Sequence, residues 1–277
     1  MTTLEKLIDL IRETSCSLSD DVEKALKRQL KIERTAGNSA AVLNLSTIVE
    51  NIALARRQST PLCQDTGTLT FFVDISLRRR VTVKLLQKAV AAATERGYLR
   101  KNTINSVTGA SCDDNCAPGA PVVHYMEGMN RGEVTLLMKG GGSENMSRQY
   151  SLPDTSLDAG RDMQGVRKCI LDAVVKTQGY GCAPGILGVC IGGDRASGYE
   201  VAKMQLLRSL DEKGGEFASL EKQILKEANS LGIGPMGLGG KTTLLGVKIA
   251  SRTRLPASFF VTVAYLCWAA RRRTVTI

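Results

Sequence analysis

Three glycine-rich loops, 139-KGGGS-143, 192-GGDRASG-198 and 234-GPMGLGGKT-242, fall at the ends of apolar, strand-like runs. No other feature constrains the fold as much. Glycine lets a backbone turn where other residues are strained, and lets its N–H groups approach an anion closely. Strand-like runs that end in such loops, with helical stretches between them, predict a mixed α/β chain.

The first 57 residues read as helices. In 20-DDVEKALKRQLKIE-33 and 40-AAVLNLSTIVENIALARR-57 the apolar positions recur at helical spacing, and the opening segment is amphipathic through Leu4, Leu7, Ile8 and Ile11. Beyond Pro61, 69-LTFFVDISL-77 predicts a strand, and 81–100 a strand or turn entering a helix. The runs 121-PVVHYMEG-128 and 133-EVTLLMKG-140, joined by Asn-Arg-Gly, predict a β-hairpin. A helix is expected over 159–179 and others over 201–210 and 217–230, with a last strand-like run over 257–272. With no internal repeat and no linker, the expectation is one compact unit over 1–277, in which a helical N-terminal part precedes a mixed sheet surrounded by helices.

The opening segment lacks the apolar core and cleavage pattern of a signal peptide, and no stretch reaches the roughly 18 apolar residues of a membrane span. The expectation is a cytoplasmic protein without a membrane partner. Net charge is +10, with clusters at 78-RRR-80 and 271-RRR-273. That balance suits phosphate neutralisation, but no nucleic-acid motif accompanies it and aromatics are only 4% of the chain, so no nucleic-acid partner is expected. A solvated face, a partner surface or a site for anionic metabolites remains. The GGKTT loop is not a P-loop: counting back from Gly240-Lys241-Thr242, the required first glycine falls on Pro235.

Eight cysteines without a secretory signal argue against a disulfide framework. Cys16 and Cys169 lie in helical segments and Cys190 in the apolar run ILGVCIGG, where a thiol is a small core residue. Cys112 and Cys116 are spaced as a chelating pair, but no second pair completes a structural zinc site. Cys63, Cys182 and Cys267 differ, because the first two sit in loops, 61-PLCQDTG-67 and 181-GCAPG-185, and the third ends the last strand-like run. Three thiolates from distant segments would hold three irons of a [4Fe–4S] cluster and leave the fourth open as a Lewis acid, although clusters more often use four closely spaced cysteines.

Taken in order, PLCQDTG, KGGGSENMS, GCAPGILGVCIGG, GIGPMGLGGKTT and CWAARR make nearly the whole chain similar to the α subunit of class I iron–sulfur fumarate hydratases and of the related L-tartrate dehydratases. The resemblance implies a [4Fe–4S] cluster on Cys63, Cys182 and Cys267. It implies substrate contacts from Gln64, proton handling by Asp65, a carboxylate clamp at Arg100, and a substrate-side loop at Gly140, Gly141 and Gly142. The implied reaction is reversible hydration of fumarate to malate, a step of the tricarboxylic acid cycle, or dehydration of tartrate or another hydroxy diacid. For Asp65 the residues alone also allow a turn-forming role within its own loop.

Three departures qualify the resemblance. Leu255 in 254-RLPA-257 replaces the family's histidine near the substrate. The family's Gly-Asp-Asn-Thr-Pro loop is altered to 113-DDNCAPGAP-121, after which His124 does not restore the lost group. The chain contains nothing matching the family's second domain, so the resemblance implies a separate β subunit, small dicarboxylate substrates and a heterotetramer. Two readings from other classes stay open: a nucleotide- or nucleic-acid-binding protein built on GGKTT and the positive charge, and an inactive cluster-bearing paralogue.

Overall fold

The structure is a computed structural model that describes residues 1–212 and 215–277. The N-terminal fifth is helical, with α1 (Thr3–Cys16), α2 (Asp20–Ala36) and α3 (Ser39–Gln58). Strand β1 (Thr68–Asp74) and helix α4 (Val83–Glu95) precede β2 (Val122–Met126) and β3 (Glu133–Lys139). The short helix α5 (Gly141–Asn145) leads into β4 (Arg148–Ser151) and α6 (Met163–Thr177). Then come β5 (Gly185–Gly192), α7 (Arg195–Gln205) and α8 (Ala218–Ser230). Strands β6 (Leu244–Arg252), β7 (Phe260–Leu266) and β8 (Arg271–Thr276) end the chain order.

The chain divides into two compact units, each with its own four-stranded sheet and apolar core. The first contains Met1–Ser19, Glu50–Gly141 and Ala269–Ile277. Its sheet runs β2-β1-β3-β8, with β1 and β2 parallel and the other neighbours antiparallel. Helix α1 starts where the Thr2 hydroxyl accepts from Glu5 N–H and Glu5 reaches back to Thr2 N–H, a capping box. Its buried Leu7, Ile8 and Ile11 join Leu86, Ala89 and Val90 of α4 over Phe71, Val73, Leu136 and Met138 of the sheet. Each such large side chain stabilises the unit by about 1.5–3 kcal/mol relative to exposure.

The second unit contains Asp20–Val49 and Gly142–Trp268. Its sheet runs β4-β7-β5-β6, parallel only between β5 and β6. Every residue of β5 is buried, as expected of a strand covered on both faces. Helices α6 and α8 pack on this sheet through Val166, Ile170, Val174, Ile224 and Ala228.

The mixed α/β class read from the sequence is therefore present, with its strands divided between two sheets. The predicted hairpin is not formed. Strand β1, buried at six consecutive positions, lies between β2 and β3, pairing parallel with β2 and antiparallel with β3. A run buried on both faces claims a central position, and the Asn-Arg-Gly turn does not outweigh it. The last strand-like run is two strands, β7 and β8, one in each sheet. Helix α7 begins earlier than expected because Asp194 caps it, its carboxylate accepting from Ala196 and Ser197 N–H.

Candidate functional site

In the first unit, the loop 61-PLCQDTG-67 is held from both sides. Leu62 N–H donates to Ser15 O at 3.0 Å, and Asn51 Nδ2 donates to Leu62 O at 3.0 Å. Within the loop, Asp65 N–H donates to Cys63 Sγ at 3.4 Å. The Asp65 carboxylate accepts from Gly67 N–H on Oδ1 (2.8 Å) and from Gly141 N–H on Oδ2 (2.7 Å), so it ties its own loop to the glycine run. The close approach depends on missing side chains. Gly67 has φ +73°, and a Cβ there would lie 2.5 Å from Lys139 O; a Cβ on Gly140 would lie 2.8 Å from Asp65 Oδ2.

A polar web fixes what surrounds this loop. Thr66 Oγ1 donates to Arg100 O (2.7 Å) and accepts from Arg100 N–H (3.0 Å), while Thr66 N–H donates to Asn102 Oδ1 (2.9 Å). Fully buried Asn115, at φ +59°, accepts from the N–H groups of Asn102 and Thr103 and donates to Arg100 O and Thr94 Oγ1. The Arg100 backbone is thus locked beside the QDTG loop while its side chain is exposed, as is Gln64. Asp65, Asn102, Thr103, Asn115 and Gly141 border a cleft of about 330 Å³. Behind Gly140 lies Arg271, 1% exposed, whose Nε and Nη1 have no hydrogen-bond partner among the described residues.

In the second unit, the rest of the KGGGSENMS motif meets the two later cysteines. Ser143 Oγ accepts from Cys267 N–H (3.1 Å), and Ser147 Oγ accepts from Tyr265 N–H (3.2 Å). Trp268 N–H donates to Cys182 O at 3.3 Å, bringing the 181-GCAPG-185 loop against the end of β7. Cys182 itself adopts φ +50°, a left-handed conformation uncommon outside glycine. Gly142 lies beside Tyr180 O.

The thiols separate by environment. Cys16, Cys169 and Cys190 are buried, and burial pushes Cys16 up to about 11, Cys169 up to about 12 and Cys190 upward, which keeps them as inert thiols. Partial burial, then Asp114, pushes Cys116 up to about 11. Cys63 and Cys267 are half-buried and Cys182 is exposed, and none is in a disulfide. Accessible soft sulfur donors fit iron–sulfur ligation, and the N–H aimed at Cys63 Sγ fits it further. Among the described residues no three His, Cys, Asp or Glu side chains form a single-ion site. A cluster asks for something else, because each thiolate binds its own iron.

Of the expected site residues, the first unit assembles Cys63, Gln64, Asp65, Arg100, Gly140 and Gly141, and the second assembles Gly142, Cys182 and Cys267. Thr66, Asn102 and Asn115 were not singled out from the sequence; its signals were the proximity of Asn102 to Arg100 in YLRKN and the tolerance of asparagine for the left-handed backbone that Asn115 adopts at φ +59°. His124 is stacked on Phe72, ring centroids 5.3 Å apart. Leu255 is 73% exposed and borders a second cleft of about 400 Å³ with Asp194, Arg252 and Arg254. In the GGKTT loop Lys241 N–H donates to buried Glu33 Oε1 at 2.7 Å, so an internal carboxylate takes the place a phosphate would need. The 271-RRR-273 cluster is not a solvated face, since Arg271 and Arg272 are buried. The described residues include no helix long and apolar enough to cross a membrane.

Residues 4–276 match the family described as fumarate hydratase (Fumerase). The chain is 47% identical over 282 residues to a Geobacillus stearothermophilus protein provisionally named class I fumarate hydratase, an alignment covering 99% of this chain and 54% of that one. The chain thus spans about half the length of that relative. It is 33% identical to a Methanocaldococcus jannaschii protein provisionally named L(+)-tartrate dehydratase subunit alpha, covering 98% of this chain and 96% of that one. The L(+)-tartrate dehydratase subunit alpha of Escherichia coli K12 is 29% identical, covering 99% and 91%.

Proposed function

Because the chain belongs to the fumarate hydratase family, we propose that residues 1–277 serve as one α-type domain of an iron–sulfur hydro-lyase that adds water to fumarate. The observation that carries this reading is the Asp65 carboxylate, pinned between the PLCQDTG and KGGG loops on the wall of a cleft. Cys63, Cys182 and Cys267 would hold a [4Fe–4S] cluster, which supplies a Lewis acid for the substrate hydroxyl when bound.

The chain's own groups have distinct tasks. Hydration places a hydroxyl on one alkene carbon and a proton on the other. Two N–H donors occupy one lone pair on each Asp65 oxygen and leave the others open, so this carboxylate holds and moves a proton in a fixed orientation. Gln64 hydrogen-bonds one substrate carboxylate through its exposed amide. Arg100 clamps a carboxylate with its planar fork. The Gly140–Gly142 run brings backbone close to the substrate.

The second proton-transfer group and further substrate cations come from a β-type partner, and the two subunits pair as a cytoplasmic heterotetramer. The names of the α-subunit relatives support that partner. A hydroxy-diacid dehydratase is the alternative, favoured by the tartrate dehydratase relatives and by Leu255 in the place of a histidine.

The test is a substrate panel on the anaerobically reconstituted chain combined with a β-type polypeptide of the family. Fumarate and malate should interconvert with kcat/KM at least tenfold above that for tartrate, and Leu255→His should change that ratio. A complex that turns over only tartrate gives the alternative, and an iron-loaded complex inactive on every diacid removes the enzyme reading.

A further inference from the structure

Tyr265 is 2% exposed in the core of the second unit, yet among the described residues its hydroxyl has no hydrogen-bond partner. Buried hydroxyls normally find an acceptor, so an orphan calls for an explanation. Its neighbours point to one. The ring lies against the backbone on both sides of Cys182. A Cβ on Gly181 would come within 2.5 Å of Tyr265 Cε1, and one on Gly185 within 2.4 Å of the hydroxyl oxygen. Those two glycines make room for an aromatic ring beside the thiol loop. Tyr265 also stands two residues before Cys267, which packs on the same core, and its own N–H is fixed by Ser147 Oγ at 3.2 Å. The Trp268 N–H to Cys182 O bond draws the two cysteine segments together around this tyrosine.

We propose that the Tyr265 hydroxyl donates a hydrogen bond to a sulfur of the cluster held by Cys182 and Cys267, and so sets the cluster's reduction potential. The inference rests on the iron–sulfur reading above. A phenol is a good neutral donor, and a metal-bound thiolate or sulfide carries the negative charge that makes sulfur a useful acceptor. Hydrogen bonds to cluster sulfurs are one of the levers on potential. They favour the more negative, reduced form, so removing this one lowers the potential. Tyr265 is thus a positioning residue that acts through the cluster, without forming or breaking a covalent bond.

The test is Tyr265→Phe, which keeps the ring and removes only the hydroxyl. Both proteins are reconstituted without oxygen and compared for iron, thermal midpoint, EPR of the reduced cluster and midpoint potential. The expected result is equal iron and thermal midpoint, an altered EPR spectrum, and a lower potential. The reduced-to-oxidised ratio should shift about tenfold, equivalent to about 59 mV for a one-electron couple. An equal potential and spectrum overturn the inference.

Site-specific 3-fluorotyrosine at position 265 retains the hydroxyl and gives a second readout, independent of how well the phenylalanine variant loads. Fluorine hyperfine coupling to the reduced cluster is expected, and its absence overturns the inference. A wild-type chain that takes up no iron sinks the cluster reading and this inference together. A loaded wild type with an indistinguishable Phe variant sinks this inference alone.

Discussion

Asp65 has a backbone donor on each carboxylate oxygen, Gly67 N–H at 2.8 Å and Gly141 N–H at 2.7 Å. The turn-forming role that its loop suggested is therefore real, and the open lone pairs on the cleft wall allow a proton-handling role beside it. In Asp65→Asn the amide must set its NH₂ against one of those donors, so the loop loosens while all three cysteines remain. Cluster content should be kept and kcat should fall by roughly 10²–10⁴-fold, the range for a lost general acid–base group. An active, cluster-loaded variant contradicts the catalytic assignment. Gly140→Ala tests the same carboxylate from the other side, since the new Cβ would stand 2.8 Å from Oδ2. Displacing Asp65 by that contact should cost up to about 10²-fold in kcat while the thermal midpoint stays within a few degrees. Wild-type kinetics would show that the placement of Asp65 does not matter. Cys63, Asp65 and Arg100 were singled out by motifs in the sequence as candidates. Thr66, Asn102 and Asn115 were not, because each acts through hydrogen bonds between residues 12 to 36 positions apart.

The glycine-rich loops share a physical device: each spends its amides on a carboxylate of the chain itself. Gly141 N–H serves Asp65, Lys241 N–H serves Glu33, and Asp194 holds the N–H groups of Ala196 and Ser197 at the start of α7. The sequence marked these loops as anion-friendly but did not say which anion fills them. Helix positions were legible because caps and apolar spacing are local, whereas the β2–β1–β3 order was not, because pairing depends on the burial of a distant strand. The carboxylate caps carry a pH signature. The Ser197 hydroxyl, then backbone N–H groups, hold Asp194 below the usual carboxylate range, and the Ser76 hydroxyl, then Gly132 N–H, do the same for Asp74. A depressed folded pKa stabilises the fold above the unfolded value of about 4, and that contribution is lost as pH falls through the folded value. The thermal midpoint should thus drop steeply below about pH 4, and Asp194→Asn should flatten the slope. An unchanged slope in the variant would show that this cap does not contribute.

At the scale of the molecule, the residues singled out for the site are divided between two compact units. Cys63 and Asp65 lie in one, and Cys182 and Cys267 in the other. The order of the motifs along the chain singled out the candidate residues. Neither spacing nor periodicity told which sheet would carry which member, because segments from both ends of the sequence contribute to the first unit. The chain spans about half the length of its Geobacillus relative. Everything proposed for the site depends on iron bound to three cysteines. The most direct test is the iron and sulfide content, with visible absorption and EPR spectra, of the chain reconstituted without oxygen, beside a Cys63→Ser/Cys182→Ser/Cys267→Ser variant. About four irons in the wild type and none in the variant are expected. A colourless wild-type chain that takes up no iron, or a triple variant that still binds it, would contradict the assignment.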